Sequence, residues 1–437
     1  MTTMMFLPST LLRTAGRCLL LLLLSSLLWE GSYARQQNPS QGGGNNPDCH
    51  AFGCTFLPRD IIFDQPARKA LESLHLDDDS TVAEITATAA AAEEELALCG
   101  GKDFVTLTLI GYKGGSLDKQ INQDRATIVT SFGTNRGATE SGDNGNDEDD
   151  GGLFVGVFDG HGNLGEYVSE YARKEVPKRI AAKLDQTESA VPSEDDVVAI
   201  LKDTFLEVNA TTPAGTEGGC TSTVALRLGS KLYIANAGDS RTMLAVRFPN
   251  GQADLLYVTR EDKPDLPDER ERIEGMGGSI SVPPKGSGGS SRVLFTDPQT
   301  GMRTGLAMSR SIGDWKMVGV VAEPIVRVFD LAKEANTIAE GLEMDCDGND
   351  ADCKKIRSTD IRFFVVSASD GMMDYIDPSR IVTAFADAFY EHTEEEDPGR
   401  HPLLVADYLI HESAKGWHNE MGGQYRDDIV VAAAKLV

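Results

Sequence analysis

The chain has 437 residues, 41% of them hydrophobic, enough for a sizeable core in one large domain with appendages or in two or three smaller ones. Acidic residues outnumber basic ones 68 to 41, for a formal charge of −27. Such a surface repels nucleic acid and anionic lipid, so no nucleic-acid partner is expected and any phosphate chemistry must rest on local cations.

Arg13 and Arg17 stand before an apolar run from Cys18 to Trp29, and Ser32-Tyr33-Ala34 supplies small residues at a cleavage point. This is the layout of a secretory signal peptide over residues 1–34. The run is short for a bilayer span, so cleavage and entry into the secretory pathway are expected; a retained membrane anchor is the alternative. Six cysteines then remain, at 49, 54, 99, 220, 346 and 353. Cys49/Cys54 and Cys346/Cys353 are close enough in sequence for local disulfides in an oxidising compartment, whereas zinc would need more ligands beside each pair. Asn209-Ala210-Thr211 is a glycosylation sequon that matters only on that route. Residues 35–101 begin with a Gln/Gly/Asn/Pro linker and continue into Ala/Glu/Leu-rich sequence of helical character, an extension to which no chemistry is assigned.

The main domain is expected over residues 102–437. Val105 to Ile110 and Ala126 to Phe132 alternate as strands, separated by a Gly-rich loop from Gly111 to Lys119. Glu140 to Gly152 and Glu343 to Asp352 are acidic insertions, and neither has the spacing of a twelve-residue calcium loop. Between them lies the stretch on which the domain is built, L-F-V-G-V-F-D-G-H-G from Leu153 to Gly162. Its unbroken apolar run predicts a strand buried on both faces, ending in Asp159 and a glycine-flanked His161. Asn163 is expected to cap the helix that follows, with Leu164, Tyr167, Val168 and Tyr171 on one face. Ser193 with Asp196 caps a second helix through Val208, and Gly229-Ser230 turns a hairpin whose second strand runs into Asp239. Gly, Ser and Pro fill Ser279 to Thr304, predicting a mobile surface flap. Phe363 to Ser369 is a strand delivering Asp370, with Asp374 beyond it. Ile381 to Tyr390 and Leu403 to His411 read as amphipathic helices, and Asp427 precedes a closing strand from Ile429 to Ala434.

Four buried-type strands thus carry an aspartate at one end: Asp159, Asp239, Asp370 and Asp427. Any one of them could be a turn residue. If the strands share a layer the carboxylates crowd, and crowded carboxylates stay ionised only beside cations. Oxygen donors without a Cys or His cluster select Mg²⁺ or Mn²⁺, and two such ions about 3.5–4 Å apart turn a water into a nucleophile at neutral pH.

Eight stretches in order give the chain a family resemblance. They are N-Q-D at Asn122, V-F-D-G-H-G at Val157, G-C-T-S-T at Gly219, A-N-A-G-D-S-R at Ala235, D-K-P-D-L-P-D-E-R-E-R-I at Asp262, L-A-M-S-R-S-I-G-D at Leu306, A-S-D-G at Ala368 and R-D-D at Arg426. Together they resemble the type 2C, metal-dependent serine/threonine protein phosphatases. The resemblance implies an α+β fold, a four-layer α-β-β-α sandwich of two antiparallel sheets flanked by helices, and phosphoprotein substrates handled by a monomer. It implies two Mg²⁺ or Mn²⁺ ions, with Asp159 bridging them, Asp370 and Asp427 holding one, the Gly160 carbonyl holding the other and Asp124 assisting through water. Asp239 with Asp374 would hold a third, weaker ion. His161 would protonate the departing serine or threonine oxygen as water attacks in line, without a phosphoenzyme. Lys119 falls where many members carry a phosphate-gripping arginine, and lysine grips as a point charge without the planar fork. Asp428, where asparagine is frequent, is expected only to add negative potential. The flap contains no tryptophan, which argues against the hormone-receptor docking of one plant branch. A catalytically silent binding module of the same fold is the alternative function, and membrane association is expected only if the N-terminal segment is retained.

Overall fold

The computed structural model describes residues 103–115, 119–133, 152–187, 192–287, 289–344, 356–390 and 402–436. The leader, the linker, both acidic insertions for the most part and Cys49, Cys54, Cys99, Cys346 and Cys353 lie outside them. Cys220 is buried with a free thiol. Among the described residues no helix is long and apolar enough to cross a membrane.

Two antiparallel sheets form the centre. The first orders β1 (Phe104–Leu109), β15 (Ile429–Lys435), β14 (Arg362–Ala368), β7 (Arg241–Arg247) and β8 (Ala253–Val258). In the second, β3 (Gly152–Gly162) pairs with β2 (Asp124–Phe132), β4 (Gly218–Cys220) and β5 (Ser222–Leu228); β6 (Lys231–Ala237) and β13 (Ile325–Asp330) continue from β5, and β12 (Ile312–Gly313) adds to β4.

The two-residue period of each strand sorts its side chains into layers. Along β3, Phe154 and Phe158 pack under helices α1 (Gly165–Gln186) and α2 (Glu194–Thr211), while Val155 and Val157 turn toward the other sheet. Along β15, Ile429, Val431 and Ala433 face α4 (Pro378–Tyr390) and α5 (Pro402–Met421), and Val430, Ala432 and Ala434 face inward. Strands that alternate two apolar faces in this way explain why the sequence shows continuous apolar runs. The result is the expected α-β-β-α sandwich.

Two local expectations change. Asn163 does not cap α1: its backbone N–H is spent on the Glu217 carbonyl at 2.9 Å, and the N-cap is Leu164 without a side-chain bond. The Gly/Ser/Pro stretch is not structureless. It forms a small sheet of β9 (Ser279–Ser281), β10 (Arg292–Thr296) and β11 (Arg303–Leu306), hinged on α3 (Pro267–Gly275). Glu269 on α3 is fully buried and accepts from Arg260, Arg310 and Ser309, with Arg272 2.6 Å away, so a charged cluster fixes α3 and the chain that follows the flap, while Ser291 Oγ within the flap donates to Asp265 Oδ1 at 2.6 Å. The Ser193–Asp196 capping box and the Gly229-Ser230 hairpin form as expected.

Candidate active site

Antiparallel pairing sends the ends of β3, β6 and β14 and the starts of β2 and β15 to one end of the sandwich. Asp124 and Asp159 are direct cross-strand partners. Both lie on the inward parity of their strands, Asp159 two residues past Val157 and Asp124 two before Ala126, so the interior between the sheets ends in carboxylates. Asp239, Asp370 and Asp427 come to the same place. A cavity of about 700 Å³ opens there, bordered by Asp159, Gly160, His161, Asp239, Asp370 and Asp427, with the flap's Phe295, Met302, Leu306 and Met308 as its opposite wall.

Each carboxylate is set by identifiable contacts. Thr221 fixes the backbone of Asp159, accepting from its N–H at 3.0 Å and donating its own N–H to the Asp159 carbonyl at 2.8 Å. Asp124, fully buried behind the cavity wall, accepts from Ser369 Oγ at 2.8 Å. Lys263 Nζ stands 2.7 Å from Asp239 Oδ2. Tyr425 donates to Asp427 Oδ2 at 2.9 Å. Gly160 admits no side chain, because a Cβ there would lie 2.6 Å from the Gln123 carbonyl and 2.7 Å from that of Gly165. This glycine lets β3, the N-Q-D segment and α1 converge.

Crowding shows in the protonation energetics. Burial first, then the fields of Asp124 and Asp370, push Asp159 well above the usual carboxylate range. Burial and the field of Asp239 do the same to Asp370. Asp124 rises to about 7 through burial and the charge of Asp428, against the opposing Ser369 bond, and Asp374 to about 6 through burial despite nearby Lys263. Carboxylates this crowded disfavour one another's ionisation.

Among the described residues no three His, Cys, Asp or Glu side chains are drawn together as a metal would require. The lysines Lys113 and Lys263 stand against these carboxylates instead. Yet Asp124 Oδ1, Asp239 Oδ1 and Asp370 Oδ1 are buried without a hydrogen-bond partner. Unpartnered anionic oxygens at the end of a deep cavity, with no sulfur donor among them, fit a hard divalent cation.

His161 Nε2 lies 2.7 Å from Asp314 Oδ2, which also accepts from Ser311 Oγ at 2.6 Å. Burial would lower the imidazole's pKa; Asp314 outweighs burial and raises it. Asp314 lay within a motif noted in the sequence but had no role there, since nothing local links it to a histidine 153 residues earlier.

Of the residues singled out from sequence, Asp159, Gly160, His161, Asp239, Asp370 and Asp427 border one cavity, Asp124 backs it, and Asp374 lies to one side, within the field of Asp239 and Lys263. Lys119 is exposed and does not border the cavity. The loop before it closes on itself, Lys113 N–H donating to Gln120 Oε1 at 2.9 Å and Gln120 Nε2 to the Gly114 carbonyl at 2.7 Å, and presents Lys113 to the cavity instead. Asp428 does more than add potential: it accepts from the N–H groups of Gly111 at 2.5 Å and Gln123 at 3.1 Å, tying both N-terminal segments to the last strand.

An antiparallel α-β-β-α sandwich with aspartates gathered at one end defines a class, and the comparisons agree on which. The protein phosphatase 2C family model matches residues 131–348. Probable protein phosphatase 2C 73 of Arabidopsis thaliana is 26% identical over 341 residues, spanning 73% of this chain and 76% of its own. Probable protein phosphatase 2C 48 of Oryza sativa subsp. japonica is 30% identical over 272 residues, 57% of this chain and 71% of its own. Among solved structures, a serine-threonine phosphatase 2C from Toxoplasma gondii superposes with a TM-score of 0.51 at 20% identity, covering 76% of this chain and 95% of that one. A C. elegans sex determining protein gives 0.50 at 17% identity, over 84% and 77%. These two show the fold. The chain belongs to the protein phosphatase 2C family and is a Mg/Mn-dependent protein phosphatase.

Proposed function

We propose that the chain hydrolyses phosphoserine and phosphothreonine in proteins at this cavity, with two divalent cations held by Asp159, Asp370, Asp427 and the Gly160 carbonyl, Asp124 in support. Asp239 and Asp374 would hold a third. The observation that carries the reading is the set of buried, unpartnered carboxylate oxygens on Asp239 and Asp370, which border the same cavity as His161, and on Asp124 behind it. When bound, Mg²⁺ or Mn²⁺ supplies Lewis acidity and makes water nucleophilic at neutral pH.

The chain's own residues supply the rest. In the imidazolium form of His161, Nε2–H donates to Asp314, which fixes the ring's orientation. Nδ1, which has no hydrogen-bond partner among the described residues, then carries the proton for the departing alkoxide. Asp314 raises the imidazole's pKa against the effect of burial, which favours the protonated form. Phe295, Met302, Leu306 and Met308 border the same space and give it an apolar side.

The test is hydrolysis of a phosphothreonine peptide by the purified chain with Mn²⁺ and then with excess EDTA. Turnover that EDTA abolishes is expected; a folded sample inert with every divalent metal would refute the reading and return the chain to a silent module. We further propose that the enzyme works in the secretory pathway, on the basis of the N-terminal segment. N-terminal sequencing of the mature chain checks this, with a start near Arg35 expected.

A further inference from the structure

Asp427 differs from its neighbours in the cluster. Asp124, Asp239 and Asp370 each keep one buried oxygen without a partner, whereas both oxygens of Asp427 are engaged. Tyr425 holds Oδ2, and Oδ1 takes the Asp428 N–H at 3.0 Å and the Lys113 ammonium at 3.1 Å. Lys113 is not there by accident of a long side chain. Tyr112 and Arg426 exchange two backbone hydrogen bonds, at 2.7 and 2.8 Å, and Gly111 N–H is fixed on Asp428, so the backbone on the N-terminal side of Lys113 is bound to the segment that carries Asp427. The ammonium also lies 3.2 Å from Asp428 Oδ2 and 3.4 Å from Gln123 Oε1.

We propose that Lys113 is a tethered counter-ion of this site: it neutralises Asp427 until a divalent cation arrives, must surrender that oxygen to it, and so sets the threshold of metal affinity. The inference rests on the metal reading given above. An ammonium and a metal ion cannot share one side of a carboxylate oxygen, and at such a distance each repels the other. Asp428 makes the exchange reversible. It is buried, bound to two backbone N–H groups and outside the proposed ligand set, so it keeps the ammonium beside the site after Asp427 is released. A cation thus retained remains available to the substrate phosphate.

The test measures metal binding, not turnover. Calorimetric titration of the full chain with Mn²⁺ should give about tenfold tighter binding for Lys113→Met and for Lys113→Gln, the latter able to hydrogen-bond to Asp428 and so to protect the fold. Lys333→Met, on an exposed helical position, should match the wild type. In EDTA, Lys113→Met should melt below the wild type, because Asp427 and Asp428 lose their cation, and saturating Mn²⁺ should narrow the gap. Unchanged or weaker Mn²⁺ binding in both folded Lys113 variants would overturn the role of Lys113 while leaving the metal site standing. A wild type that binds no Mn²⁺ would overturn both.

Discussion

Gly219→Ala isolates the His161–Asp314 pair without touching either residue. Gly219 sits opposite His161 in the β3–β4 ladder and opposite Gly313 in the β4–β12 pair. A Cβ there would lie 2.8 Å from His161 Nε2, 2.6 Å from Asp314 Cγ and closer still to Asp314 Oδ2. Ordinary contact begins near 3.4 Å, so the ring must retreat by about 0.6 Å and the bonded carboxylate oxygen by more than 1 Å from a wedge between them, opening their 2.7 Å bond beyond the ~3.5 Å at which it ceases to be one. Loss of a positioned general acid costs about 10²–10⁴-fold. The assay compares two substrates. On a phosphothreonine peptide, whose alkoxide must be protonated as it leaves, kcat should fall by about 10²-fold or more. On p-nitrophenyl phosphate, whose phenolate leaves unaided, it should change little. The sign of the pH effect follows from the same contact: Asp314 raises the His161 pKa, so its loss should move the alkaline fall of the peptide profile to lower pH. An equal loss on both substrates would refute the assignment of His161 as acid and point to a disturbed carboxylate cluster.

Asp159→Asn should abolish Mn²⁺-dependent turnover while leaving the fold intact, checked by activity and circular dichroism together; full turnover would remove Asp159 from the site. Glu269→Ala leaves Arg260, Arg272 and Arg310 without their shared carboxylate, and breaking such a buried pair should cost about 3–5 kcal/mol in urea unfolding. Glu170 is bound by Arg125, Arg173 and Lys174. Burial alone would raise its pKa, but these partners hold it at about 2. A depressed carboxylate stabilises above its unfolded value and loses that contribution as pH falls, so Glu170→Gln should be less stable by about 1 kcal/mol at pH 7 after allowance for solvent screening, the gap closing between about pH 4.5 and 2.

What the sequence discloses depends on whether a signal is local. Period-two alternation is local, and the apolar runs with terminal aspartates locate β3, β6, β14 and β15 to within a residue or two. Parity then does unseen work: because Asp159 and Asp124 continue the inward faces of their strands, predicting the strands already predicts that these two carboxylates face the gap between the sheets. The strands inside the flap were not legible, for a related reason. Its strands β10 and β11 are short and sit among Gly, Ser and Pro, so composition outweighs pattern, and a bond that ties the segment down runs from Ser291 to Asp265, 26 residues away.

Lys113 marks the limit of local reading. By sequence alone Lys113 and Lys119 are two lysines in one Gly-rich loop, and spacing to N-Q-D favours Lys119. The choice is made by Tyr112 pairing with Arg426 across 314 residues, which puts Lys113 and not Lys119 against Asp427 and Asp428. That pairing has an electrostatic consequence: carboxylates crowded at one end of a −27 chain ionise more readily beside positive charge. Lys113 and Lys263 supply it from inside the chain, each on a different side of the cluster. If Lys113 gives way to metal as proposed, metal affinity, and not only turnover, is where its removal should be seen.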